Sequence, residues 1–177
     1  AQHRHRGIAY DIAVLTNLNT EHLEEHGGFE RYRAAKEELF RHTARGSKAR
    51  RVAVIPSDLE QPEQFIGHPF TEIIRFSPSD ERDLRLAPAI AAFPGNAAVV
   101  LATATMLGIP RDVVVRALES TPFLPGRLER IECGQPFDVV VDYAFTPHAL
   151  ETIYRALPKP SGRTIHVLGA AGGGRDR

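Results

Sequence analysis

One cysteine, Cys133, stands among 177 residues, so no disulfide can form within the chain. An excess of one charge is missing as well. Lysine plus arginine (22) balance aspartate plus glutamate (22), which leaves no net field for holding a polyanion or an anionic membrane surface. We therefore expect neither nucleic acid nor membrane as a partner. No apolar run approaches the ~20 residues a helical membrane span needs, and no basic-then-apolar leader is found. A reducing, cytoplasmic setting fits these absences. Repeats and low-complexity tracts are lacking too, apart from Gly172 to Gly174. What the chain does have is 42% hydrophobic residues, enough to bury the core of one domain or of two small ones. It opens on Ala1 and closes on Arg175, Asp176 and Arg177 just after the glycine run, which leads us to expect an internal segment of a longer protein.

Apolar patterning gives an α/β reading. Ile8 to Thr16 is rich in β-branched residues and bounded by Asn17 and Asn19, the pattern of a strand buried on both faces. A helix follows, with Phe29, Tyr32, Leu39 and Phe40 at spacings of three and four and Gly46 as a stop signal. Arg51 to Ile55 and Thr71 to Phe76 read as short strands, the second closed by Ser77 and Pro78. Ala97 to Leu107 reads as a nearly all-apolar helix, and Pro110 can open another carrying Val113, Val114 and Ala117 on one side. The prolines and glycine of Pro122 to Gly126 then interrupt helix and sheet alike, and we place a domain boundary there, dividing 1–126 from 127–177. Beyond it, Phe137 to Val141 as a buried strand, Pro147 to Leu157 as a helix with Leu150, Ile153 and Leu157 inward, and Thr164 to Leu168 as a second strand would form a parallel crossover unit.

Several residues stand out chemically. Lys36 falls on the apolar stripe of its helix, four after Tyr32 and four before Phe40. Burial would lower its pKa. The neutral amine could then add to carbon dioxide, and the carbamate formed is a carboxylate able to bind a hard cation such as magnesium. The plainer alternative is that its stem follows the stripe and its head reaches water. His22 and His26 in HLEEH match the H-x-x-E-H spacing of some zinc peptidases, with Glu25 as base, although Gly27 and Gly28 leave little room for the helix such a site needs; two solvated histidines are the other reading. Asp142 is expected at the C-terminal end of a parallel strand, before a helix opened by Thr146 and Pro147, the kind of place where ligands and phosphates gather. Thr146 would serve equally as a helix cap. The run Gly169 to Gly174, with Arg175 beside it, could cradle an anion or form only a turn; it matches neither common phosphate-binding glycine motif.

Four strings together resemble the Mur ligase family, in its MurE-type branch. They are AQHRHRG, TNLNTEHLEEHG followed by YRAAKEELF, LPGRLERI with VVVDYAFTPHALE, and VLGAAGGGRD. The resemblance covers nearly the whole chain and is least between Arg75 and Pro94. It implies the second half of a P-loop-type central ATPase domain, with a parallel sheet and helices, followed by the start of a Rossmann-like C-terminal domain. The activity it implies is ATP-dependent amide-bond ligation in peptidoglycan synthesis. A third amino acid would be added to UDP-N-acetylmuramoyl-L-Ala-D-Glu through an acyl phosphate, by a monomer acting on that dipeptide and a free amino acid. By resemblance, Gln2 and Arg4 contact the muramoyl substrate, while His22 and carbamylated Lys36 hold Mg2+. Asn96 would lie near adenine, Arg127, Asp142 and Thr146 near ATP phosphate and ribose, and Arg175 at the carboxylate of the added residue; Lys36, His22 and Arg127 would be the catalytic groups. Departures are Phe145, where the family has a histidine in D-Y-A-H-T-P, Glu21 for an aspartate, and Val99 for a second asparagine, with shortened spacing before Asn96. The family's phosphate loop, its serine-serine-histidine and its specificity loop lie outside this sequence, so the segment by itself is expected not to turn over. Cyanophycin synthetase shares similar strings, and a non-catalytic nucleotide-binding or scaffolding relative would share them too.

Overall fold

The run Val52–Pro56 carries no polar side chain, and in the computed structural model every one of its residues is buried. The structure describes residues 5–18, 28–159 and 162–169. Side chains alternate across a strand. Ala53 and Ile55 therefore enter one core with Ala13, Leu15, Phe40 and Phe65, while Val52 and Val54 enter another with Phe76, Ala98 and Val99. A strand apolar on both faces demands helices on both faces.

This strand, β2, lies between β1 (Ile12–Val14) and β3 (Glu72–Phe76), parallel to both, in the order β1-β2-β3. Helix α1 (Phe29–Ala44) leads from β1 to β2 and the short α2 (Glu63–Ile66) from β2 to β3. Phe40 is the keystone on their side of the sheet. It is 1% exposed, and its ring stands edge-on to Phe65 at 5.3 Å and to Phe70 at 6.2 Å between centroids. On the opposite face lies α4 (Asn96–Met106), reached through a 3₁₀ turn (Pro78–Glu81) and α3 (Pro88–Ala91), and followed by α5 (Arg111–Ser120). The 3₁₀ turn is closed by a capping box: the Ser77 hydroxyl accepts from the Ser79 amide, and Asp80 accepts from the Ser77 amide.

Beyond the proline-rich break, β4 (Glu129–Arg130) and β5 (Val140–Val141) form an antiparallel pair, and α6 (Pro147–Ala156) follows. Two sequence expectations are corrected here. The strand expected over Ile8 to Thr16 shrinks to three residues, because the ladder with β2 runs over Ile12–Val14 and ends at the Asp11 carbonyl and the Leu15 amide, and Ile8 is half exposed. The parallel crossover unit does not form among the described residues. Phe137, Ile165, Val167 and Leu168 stand exposed, residues 164–168 are not a strand, and β5 pairs with the nearby β4 instead. Apolar β-branched runs make a parallel strand only when both faces are covered, whereas a nearby segment closes a hairpin at smaller entropic cost. On α5, Val114 is buried and Val113 exposed.

Replacing Phe40 by alanine is expected to destabilise the fold by about 3–5 kcal/mol, the cost of a large cavity beneath two other rings. Denaturant unfolding measures it, and a loss below about 1 kcal/mol would mean that the core collapses freely around the gap.

Candidate functional site

Parallel strands bring their C-terminal ends to one edge of the sheet, and the residues after those ends are where such folds gather ligands. Along α1, Tyr32 and Phe40 are buried, but Lys36 between them is exposed, its ammonium 5.2 Å from the centroid of the Tyr32 ring. The expectation that burial withdraws this amine from water is therefore corrected. Arg33 is the cation that is buried on this helix, at 3% exposure. It donates from Nη2 to the carbonyls of Glu60 and Gln61, both at 2.6 Å, with its guanidinium 5.7 Å from the Phe65 ring centroid. Gln61 has φ 48°, an uncommon value for a side-chain-bearing residue, and Arg33 fixes this strained bend just past β2. The sequence signal for Arg33 was its place seven before Phe40 and eleven before Ala44, which puts it on the same face.

The stretch after Arg4 is packed on the same helix. His42 donates from Nε2 to the Ile8 carbonyl at 2.9 Å, and the His5 ring stands edge-on to His42 at 5.2 Å. His5 Nε2 lies 3.7 Å from Glu38. The hydrogen bond from Arg41 holds the Glu38 carboxyl below the usual carboxylate range, assisted by the nearby His5 and Arg6. Gln2, Arg4, His22, His26 and Arg175 lie outside the described residues, as do Glu25 and the glycines Gly172 to Gly174.

The strings LPGRLERI and DYAFTP, separated in sequence, meet through the Asp142 carboxylate and a backbone hydrogen bond. Asp142 accepts from the Leu128 amide at 2.8 Å with Oδ2 and from the Ala144 amide at 2.6 Å with Oδ1. Tyr143 donates its amide to the Gly126 carbonyl at 2.9 Å, and Glu129 accepts from the Gly126 amide at 2.7 Å. Gly126 (φ 68°) and Leu128 (φ 43°) both sit in the left-handed region; for leucine this is strained, and the Asp142 contact holds it there. The result places Arg127 on the face of Tyr143, 5.4 Å from its centroid, with Phe145 edge-on to Tyr143 at 5.6 Å. Thr146 caps α6 by accepting from the Ala149 amide at 3.3 Å. Asp142 thus ends a short antiparallel strand, not the parallel one expected.

Asn96 begins α4 and is exposed. A buried residue that the sequence pattern did not single out stands behind it. Glu81, 8% exposed, accepts from the Gly95 amide at 3.0 Å and the Ala98 amide at 2.8 Å. It falls in the stretch that resembles the family least, so pattern matching could not reveal it; an acidic residue shortly before an uncapped apolar helix was the available signal.

Residues 1–107 match the family model of the Mur ligase middle domain. The chain belongs to the Mur ligase family. Residues 126–177 match a second model, that of the Mur ligase glutamate ligase domain. Among curated relatives, the chain is 34% identical to a UDP-N-acetylmuramoyl-L-alanyl-D-glutamate–2,6-diaminopimelate ligase of Solibacter usitatus, over 98% of this chain and 40% of that protein. It is 36% identical to a UDP-N-acetylmuramyl-tripeptide synthetase of Roseiflexus sp., over 97% of this chain and 40% of that protein. The chain thus spans about two-fifths of the length of these relatives. Among solved structures, MurF from Acinetobacter baumannii superposes with a TM-score of 0.62 at 22% identity, covering 83% of this chain and 37% of that one; at that identity the likeness speaks for the α/β fold.

Replacing Asp142 by alanine is expected to free the part-buried Leu128 and Ala144 amides and speed their hydrogen exchange by about tenfold, matching a loss of about 1 kcal/mol when such donors lose their acceptor. Unchanged protection at both amides would show that the tie is not what holds the two strings together.

Proposed function

We propose that the protein to which this chain belongs is an ATP-dependent ligase that adds the third amino acid to UDP-N-acetylmuramoyl-L-Ala-D-Glu in the cytoplasm. The observation that carries this reading is the Asp142 tie, which brings the separate strings LPGRLE and DYAFTP together with Arg127 on the Tyr143 ring. The names of the tripeptide-forming relatives support it. We divide the chain at Gly126 into the end of a central ATP-binding domain and the start of a C-terminal domain; the family models that stop at 107 and resume at 126 support that division.

A carboxylate anion resists attack by an amine, so the reaction begins with its conversion to a mixed anhydride. A carboxylate oxygen of the dipeptide attacks the γ-phosphorus of ATP, the bond to the bridging oxygen breaks, and ADP leaves. The amine of the incoming residue then attacks the acyl carbon, phosphate departs with the bonding pair, and the ammonium loses a proton. Arg127 offsets charge on the phosphates, Asp142 and Thr146 shape the nucleotide edge, and Asn96 meets the nucleoside. Gln2 and Arg4 hold the muramoyl dipeptide, and Arg175 the carboxylate of the added amino acid. Among the described residues no group of three His, Cys, Asp or Glu is placed to hold a metal. The family resemblance assigns Lys36 a carbamate, the hard oxygen donor that Mg2+ takes, although its exposure here supplies no burial to favour the neutral amine. With His22 the carbamate would hold the ion, which supplies charge neutralisation to the phosphates when bound.

An ATP-dependent ligation assay on the full-length protein, with UDP-muramoyl dipeptide and a panel of third amino acids, tests the reading. Tripeptide, ADP and phosphate in equal amounts are expected with one of them. A Lys36→Ala variant is expected to lose about a hundredfold or more in kcat with little change in KM for the dipeptide, as for a group acting in the transition state. A folded protein that ligates none of the panel would instead favour a non-catalytic relative, the alternative to which Phe145 and Val99 point.

A further inference from the structure

Glu81 is a buried carboxylate that the ligation chemistry does not use. Its side chain rises from the 3₁₀ turn, whose capping box fixes Ser77 and Asp80, and both of its oxygens are engaged at the first turn of α4, on Gly95 and Ala98. A helix start presents free amides and a partial positive charge, so it ordinarily attracts an anion. Here the chain's own carboxylate takes that place. Gly95, at φ 94°, needs the left-handed region. A side chain there would also meet the Phe76 ring and Pro78, each 3.7 Å from the added carbon. The turn that presents Asn96 is thus packed against the end of β3 on one side and held by Glu81 from beneath.

We propose that Glu81 is a positioning residue of the nucleotide site, which fixes the Gly95–Asn96 turn and closes the α4 start to phosphate, so that ATP meets Asn96 through its uncharged base. This rests on the ATP-dependent ligase reading. The phosphates are consequently held elsewhere, at the edge that carries Arg127. The carboxylate does two things that a neutral side chain of the same shape cannot. It accepts from two amides at once, and its charge turns other anions away.

Two measurements on the full-length protein test this. In the ligation assay, run well below the melting transition, Glu81→Gln is expected to raise KM for ATP about fivefold while leaving KM for the dipeptide and kcat nearly unchanged, the signature of a lost ground-state contact. A variant that melts earlier but keeps its KM for ATP would overturn the proposal, since Glu81 would then be a helix cap and nothing more. In the second, amide resonances of Gly95 and Ala98 are followed during titration with inorganic phosphate. They are expected to stay still in the wild type and to shift in Glu81→Ala, where the helix start is open. Shifts in the wild type, or none in the variant, would overturn the closure to anions. A wild type that consumes no ATP would sink the ligase reading, and the phosphate titration would still decide whether Glu81 closes the helix.

Discussion

Burial of β2 on both faces is the constraint from which the rest of the architecture derives. A strand with Val52, Val54, Ala53 and Ile55 all fully covered has to be central; α1 and α2 return the chain over one face, so that β1 and β3 run parallel to it, and α4 covers the other. Once β1, β2 and β3 point the same way, their ends are delivered to one edge. The Gln61 bend, the 3₁₀ turn and the start of α4 all come after strands that finish there. The Gln61 bend and the turn that presents Asn96 are therefore placed by a packing requirement that has nothing chemical about it.

Charges inside this fold are met by backbone. Arg33 directs its guanidinium to two carbonyls past β2, Glu81 its carboxylate to two amides of α4, and Asp142 likewise to Leu128 and Ala144. In each case the partner segment has an awkward conformation: positive φ at Gln61, Gly95 and Leu128. Such backbone persists only where its surroundings over-determine it. The Arg116–Asp112 and Arg155–Glu151 ion pairs are by contrast at the surface, where such pairs contribute little.

The sequence made the sheet and long helices legible because their signals are local. The apolar run at β2, the three-and-four spacing of α1 and the proline before α5 each specify an element within a few residues. What it could not show was closure at a distance. FDVVV and TIHVL have strand composition, yet a strand also needs a neighbour, and β5 takes β4. Lys36 sits in line with Tyr32 and Phe40, and spacing says burial, but which part of a helix face is covered depends on where the sheet ends. The family strings located Arg127 and Asp142, and the structure joined them; Glu81 carried no family pattern and emerged only from its two hydrogen bonds.

The hairpin between β4 and β5 leaves and returns through a closed gate. Leu128 is fastened to Asp142 and Gly126 to Tyr143 at its base, so whatever lies between Ile131 and Val139 is mechanically insulated from the arginine that precedes it. A change of length in that excursion, which carries the exposed Phe137 and Cys133, leaves the two ties at its base in place.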